Sequence, residues 1–178
     1  MEKQVIYYGE FQSPIGPLTL FASSKGVSRL DFGCPEDVLP AAETWYKKHH
    51  VNADLVFNSD MIEPVVLQLE EYFSGKRRSF DLQLDPIGTI FQQKVWKNLS
   101  EIPYGETRSY RDVAVGISAP KAVRAIGSAN NRNPIPIIVP CHRVIGSNGA
   151  LVGYGGGVMK KDYLLSLEQH HAMHAMLP

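Results

Sequence analysis

The sequence predicts an α+β protein in two parts: a small N-terminal α/β domain with a mainly antiparallel sheet, residues 1–85, and a helical C-terminal domain, residues 86–178. Three observations predict it. Short apolar segments separated by turn residues open the chain. A strongly periodic helix and a Pro-Ile-Gly hinge follow. Past the hinge the charge changes sign. Residues 1–85 carry 8 Lys and Arg against 13 Asp and Glu, a formal −5, whereas residues 86–178 carry 10 against 5, a formal +5. The net charge of zero conceals a basic second half, which points to nucleic acid as a partner.

Composition excludes other classes. With 44% hydrophobic and 20% charged residues the chain can bury a core and is not a disordered or collagen-like sequence. No apolar run has the length of a membrane helix or a signal-peptide core, so the expectation is a cytoplasmic protein with no membrane partner. Two cysteines, Cys34 and Cys141, are too few for a disulfide framework, and neither belongs to a metal-type Cys pair.

Residues 4–11, 18–23 and 27–32 are rich in Val, Ile, Leu and aromatic residues and read as strands, parted by Ser13-Pro14-Ile15-Gly16-Pro17 and Ser24-Lys25-Gly26. Such short connections favour antiparallel neighbours. A helix is expected over 37–50. Residues 60–75 form the clearest helix, with Ile62, Val65, Val66, Leu69, Tyr72 and Phe73 at three- and four-residue intervals, Asp60 as its cap and Gly75 as its stop. Phe80, Leu82 and Leu84 alternate as a strand.

In the second half Phe91, Val95, Trp96 and Leu99 share a helical face. Residues 109–115 and 119–130 form two short helices around the turn Gly116-Ile117-Ser118, with Ser118 as the second helix's N-cap and Pro120 in its first turn. This pattern fits a helix-turn-helix or an ordinary helical hairpin. Asn133-Pro134-Ile135-Pro136 forces extended backbone. The buried run Ile137-Ile138-Val139 leads to Pro140-Cys141-His142-Arg143, then an Asn148-Gly149 turn, a Gly-rich loop at 153–157 and a last helix over 159–169 with a frayed His-containing tail.

Cys141 is the focus of the chemistry. A lone cysteine after an apolar run is ordinarily a small hydrophobe. Here His142 and Arg143 bring basic groups that favour thiolate, prolines stiffen the approach, and the glycine loop leaves room for a substrate. Side chains of adjacent strand residues diverge, so His142 is expected to reach the sulfur through water, with Glu168 orienting it. A solvated helix-end charge is the plainer role for Glu168. Arg124 sits among Ala122, Ala125, Gly127 and Ala129, small residues that let a helix approach either a DNA groove or its neighbouring helix. The glycine run has neither dinucleotide-loop nor P-loop spacing.

Pro140-Cys141-His142-Arg143-Val144 resembles the active-site signature of the O6-alkylguanine–DNA alkyltransferases, the methylated-DNA–protein-cysteine methyltransferases. Phe91-Gln92-Gln93-Lys94-Val95-Trp96, Ile102-Pro103-Tyr104-Gly105-Glu106-Thr107, Ser109-Tyr110, Ala122-Val123-Arg124-Ala125-Ile126-Gly127, Asn133-Pro134 and Leu164-Leu165-Ser166-Leu167-Glu168 follow that family's order and spacing.

The resemblance implies a winged helix-turn-helix in the second domain and stoichiometric transfer of an alkyl group from O6-alkylguanine, and from O4-alkylthymine, in double-stranded DNA to Cys141. It implies that His142 and Glu168 activate the thiol through a water, that Asn133 holds the turn before it, and that Tyr110 donates toward the flipped guanine. Arg124 then fills the gap in the duplex, with Ser118, Ala125 and Tyr110 as further DNA contacts. Tyr154, Gly155, Gly156, Lys161 and Val144 border the base pocket. Gly155 departs from relatives that carry a hydroxyl there. Sulfur is the acceptor, so no cofactor is expected. With Cys34 the lone cysteine of the first half, no zinc is expected. The expected state is a monomer. A cysteine hydrolase built on Cys141, His142 and Glu168, or a lesion-binding module with an inert cysteine, would be the rival functions.

Overall fold

The structure, a computed structural model, describes residues 3–176, which divide at Gly88/Thr89 into two units. In the first, β1 (Gln4–Ser13), β2 (Gly16–Ser23) and β3 (Gly26–Phe32) form an antiparallel meander. Helix α1 (Pro35–Lys48) crosses over to β4 (Ala53–Phe57), which pairs parallel with β1 and gives the order β3-β2-β1-β4. Helix α2 (Ser59–Phe73) follows.

The two helices cover opposite faces of the sheet. Alternation sends Ile6 and Phe21 into one core with Ala42 and Tyr46 of α1. The other face carries Gly9, paired with Leu20, and Phe11, paired with Leu18. Glycine at position 9 admits α2, since a Cβ there would stand 3.3 Å from Ile62. Phe11 and Phe73 close that layer, ring centroids 6.2 Å apart.

Two expectations for this unit are corrected, and one strand is added to those expected. The cap of α2 is Asn58, whose side chain accepts from the N–H groups of Asp60 and Met61, because a cap acts two or three residues ahead of itself. The alternating residues 80–84 form no strand: only Leu84 bridges to Val27 at the β3 edge. β4 has no counterpart among the expected strands; paired parallel with β1, it leaves the sheet mainly antiparallel.

In the second unit α3 (Ile90–Ser100) starts with a capping box between Thr89 and Gln92 and buries Val95, Trp96 and Leu99. A two-residue strand, β5 (Arg108–Ser109), leads into α4 (Tyr110–Gly116), again started by a capping box, Ser109 with Asp112. Helix α5 (Val123–Asn131) follows. It is tied to α3 by the Trp96 indole N–H, which donates to the Ala129 carbonyl at 2.8 Å. β6 (Val144–Ile145) pairs parallel with β5, and α6 (Val158–His174) ends the unit.

Ser118 is not the N-cap of α5. It sits at φ +60°, just past α4. Its N–H bonds to Val115 O and the N–H of Ala119 reaches back to Ala114 O. That is the left-handed helix stop, so Ser118 ends α4, and α5 begins at Val123 without a side-chain cap. Arg124 therefore stands in the first turn of α5 rather than mid-helix. The tail of α6 is also ordered beyond expectation, helical through His174.

Candidate active site

The approach to Cys141 is built by Asn133. Its side-chain amide donates to Val139 O at 2.8 Å, and its carbonyl oxygen accepts from Ile135 N at 3.0 Å. Between these anchors Ile137 is held at φ +73° while fully buried. A β-branched residue in the left-handed region is strained by about 1–3 kcal/mol. The same turn delivers the chain to Cys141–Arg143, a single 3-10 turn with all three side chains buried. From α5, the Asn130 amide donates to the Cys141 carbonyl at 3.3 Å.

Cys141, His142 and Arg143 are consecutive, yet a 3-10 turn does not alternate as a strand does. His142 and Arg143 converge on one carboxylate. His142 Nε2 donates to Glu168 Oε1 at 2.7 Å. Arg143 donates from Nη2 to Oε1 and from Nε to Oε2, both at 2.9 Å. The N–H of Gly105 donates to Oε2 at 3.2 Å. Burial would raise the Glu168 pKa, but the bonds and charges of His142 and Arg143 outweigh it and hold it at about 2. Glu168 is thus ionised, and burial keeps His142 below its usual value and neutral. Because Nε2 carries the proton, Nδ1 is the acceptor nitrogen; it is buried and has no partner among the described residues.

Arg143 does not serve the thiol, as its position in sequence suggests. Its remaining Nη1 donates to Ile102 O at 2.6 Å, and its guanidinium lies 5.7 Å over the Tyr104 ring. The cation that acts on Cys141 is Lys161. Burial pushes the Cys141 thiol up to about 11, while the Asn133 amide, Lys161 and the backbone N–H groups of Cys141 and His142 pull the other way. At neutral pH the resting group is a thiol.

Lys161 is fully buried on α6 and donates to Val144 O at 2.5 Å and Val152 O at 3.0 Å. Tyr110, at the start of α4, donates its hydroxyl to the same Val152 carbonyl at 2.9 Å. Burial and the neighbouring Cys141 raise its pKa, so it remains a donor. Val144 and Tyr154 are buried, Gly155 is exposed and Gly156 half-buried. Tyr110 and Lys161 thus share the Val152 carbonyl, and Cys141 acts electrostatically on Tyr110, Tyr154 and Lys161. On α5, Arg124 and Ala125 are exposed, as is Ser118 before it. A side chain at Gly127 would meet nothing within 4 Å, so this glycine is not required by packing onto α4.

Comparison with known proteins follows the same division. Residues 6–86 match the model of the 6-O-methylguanine DNA methyltransferase ribonuclease-like domain, and residues 90–170 match that of the DNA binding domain. A methylated-DNA–protein-cysteine methyltransferase of Methanosarcina barkeri is 50% identical over 93% of this chain and 99% of its own length. The chain belongs to the methylated-DNA–protein-cysteine methyltransferase family. The constitutive methyltransferase of Bacillus subtilis is 44% identical over 92% of this chain and 95% of its own. Among solved structures, Mycobacterium tuberculosis OGT in complex with DNA has a TM-score of 0.75 and 46% identity, covering 93% of this chain and 94% of that one.

Three groups of this methyltransferase site escape sequence reading. They are the Arg143 clamp on Glu168, the Gly105 N–H and the Asn130 amide. Only Gly105 had a local signal: a Tyr-Gly stop after α3, at φ +79°, where a Cβ would lie 2.9 Å from that of Ala172.

Proposed function

We propose that this methyltransferase repairs O6-alkylguanine, and O4-alkylthymine, in double-stranded DNA by moving the alkyl group irreversibly to Cys141. The observation that carries the reading is the His142 ring. Its Nε2 proton is committed to ionised Glu168, so its buried Nδ1 is an unprotonated acceptor on the residue next in sequence to a thiol that needs a base. The thiol proton passes to Nδ1 through a bridging water. The sulfur then attacks the alkyl carbon, an S–C bond forms as the C–O6 bond breaks, and the electron pair stays with the purine, whose ring takes one proton by way of Tyr110, replaced by the proton held on His142, to become guanine.

Placement supports the remaining roles. Asn133 holds the strained turn and helps to lower the thiol pKa. Tyr110 is a protonated donor at the pocket once its hydroxyl leaves Val152 O for the base. Lys161 fixes Val144 and the loop through Val152, and Tyr154, Gly155 and Gly156 border the base. Arg124 and Ala125 on the exposed side of α5 enter the DNA groove, where Arg124 takes the place of the extruded base. Arg108, Arg111, Lys121 and Arg132 are exposed in the same unit and suit phosphate. The protein acts as a monomer.

The test uses duplex DNA carrying a radiolabelled methyl on guanine O6. The label should move to the peptide containing Cys141, and Cys141→Ala should still bind the duplex without accepting it. Label on another residue, or released to solvent, would overturn the assignment.

A further inference from the structure

The last turn of α6 carries imidazoles that alkyl transfer does not use. His170 and His174 are four residues apart and share a helical face. Their rings are exposed, with centroids 4.1 Å apart and planes tilted by 41°. His174 Nδ1 is bonded to His170 O at 2.8 Å, which fixes that ring and leaves Nε2 as its outward nitrogen. The His171 ring lies 5.1 Å from His170 at 81°, turned off this pair. The scaffold under them is firm: Glu168 is anchored one half-turn earlier, and Ala172 packs where Gly105 has no side chain.

Two imidazoles one helical turn apart offer a bidentate chelate, and imidazole nitrogen suits copper, nickel and zinc. Among the described residues no third His, Cys, Asp or Glu completes a cluster. Water would fill the other positions, making the ion exchangeable and separate from the transfer chemistry. We propose that His170 and His174 form an exposed two-imidazole site for a late first-row divalent cation, with Cu2+ ahead of Ni2+ and Ni2+ ahead of Co2+. Bound metal joins the ends of the last turn and stabilises the fold by mass action.

The test titrates untagged full-length protein with NiCl2, which spares the thiols the oxidation that copper invites. One Ni2+ should bind and raise the melting temperature. His170→Ala and His174→Ala should each weaken binding about tenfold or more, because one arm of the chelate is lost. His171→Ala should bind as the parent does. Paramagnetic Ni2+ should broaden the ring signals of His170 and His174, and circular dichroism should show α6 intact in every variant. Unchanged affinity in His174→Ala, an equal loss in His171→Ala, or broadening centred on His142 would overturn the site.

Discussion

Arg143 and Glu168 are joined by two parallel hydrogen bonds of 2.9 Å in a buried site, and the same carboxylate holds His142 at 2.7 Å. One acid on α6 thus orders two consecutive residues beside the nucleophile. Glu168→Gln should leave the guanidinium without its counter-charge and cost about 3–5 kcal/mol of stability. It should also slow alkyl transfer, because Nε2 of His142 then faces a neutral amide instead of the ionised acceptor that sets its tautomer and stabilises its protonated form. Chemical denaturation and single-turnover kinetics check both. An unchanged rate in a folded Gln variant would remove Glu168 from the relay.

The same carboxylate sets an acid limit. Its folded pKa of about 2 lies below its ordinary 4.5, so its contribution is full above 4.5 and is lost as pH falls through 2. His142, kept neutral below its usual 6.5, adds loss in the same direction from about pH 6.5 downward. Stability followed by urea titration should therefore fall steadily on acidification, and less steeply in a His142→Ala, Glu168→Gln double variant.

Cys141 sets the alkaline behaviour. Its folded pKa of about 11 lies above its ordinary 9.0, so its contribution is full below 9 and is lost as pH rises through 11. The difference is worth on the order of 3 kcal/mol. Cys141→Ala should flatten stability between pH 9 and 11. Over the same range the transfer rate to a free-base substrate should climb in the parent protein, as thiolate forms without help from His142.

Arg124 should matter only where a base must leave a stack. Extrusion costs a few kcal/mol, so Arg124→Ala should slow repair of duplex DNA by about ten- to a hundredfold while leaving transfer from free O6-alkylguanine untouched. Rates on the two substrates measured side by side decide it. Equal losses would indicate a folding defect.

Much of this was legible in the sequence where the signals are local. The three- and four-residue apolar spacing of α2 and α3 marks both helices, and the Cys141, His142 and Glu168 set rests on the family's motif spacing. Ser118 was not legible: serine suits an N-cap or a left-handed stop, and the choice is made by the Ala119 to Ala114 bond across the end of α4. β4 leaves little local signal because Ala53–Phe57 is short and pairs with β1 across some forty residues of chain. The Arg143 contact with Glu168 is hidden from the sequence because a 3-10 turn, unlike a strand, can aim adjacent side chains at one partner.

The central claim is that Cys141 is consumed, since a thioether has no carbonyl for water to attack and leaving thiolate from an alkyl carbon is slow. The measurement is intact-mass spectrometry alongside product release, with excess O6-benzylguanine. Guanine should appear as one equivalent per active protein and then stop, and every reacted molecule should carry one added benzyl group on the Cys141 peptide. Guanine released beyond one equivalent, with unmodified Cys141 recovered, would contradict the account and make the protein a turning-over hydrolase.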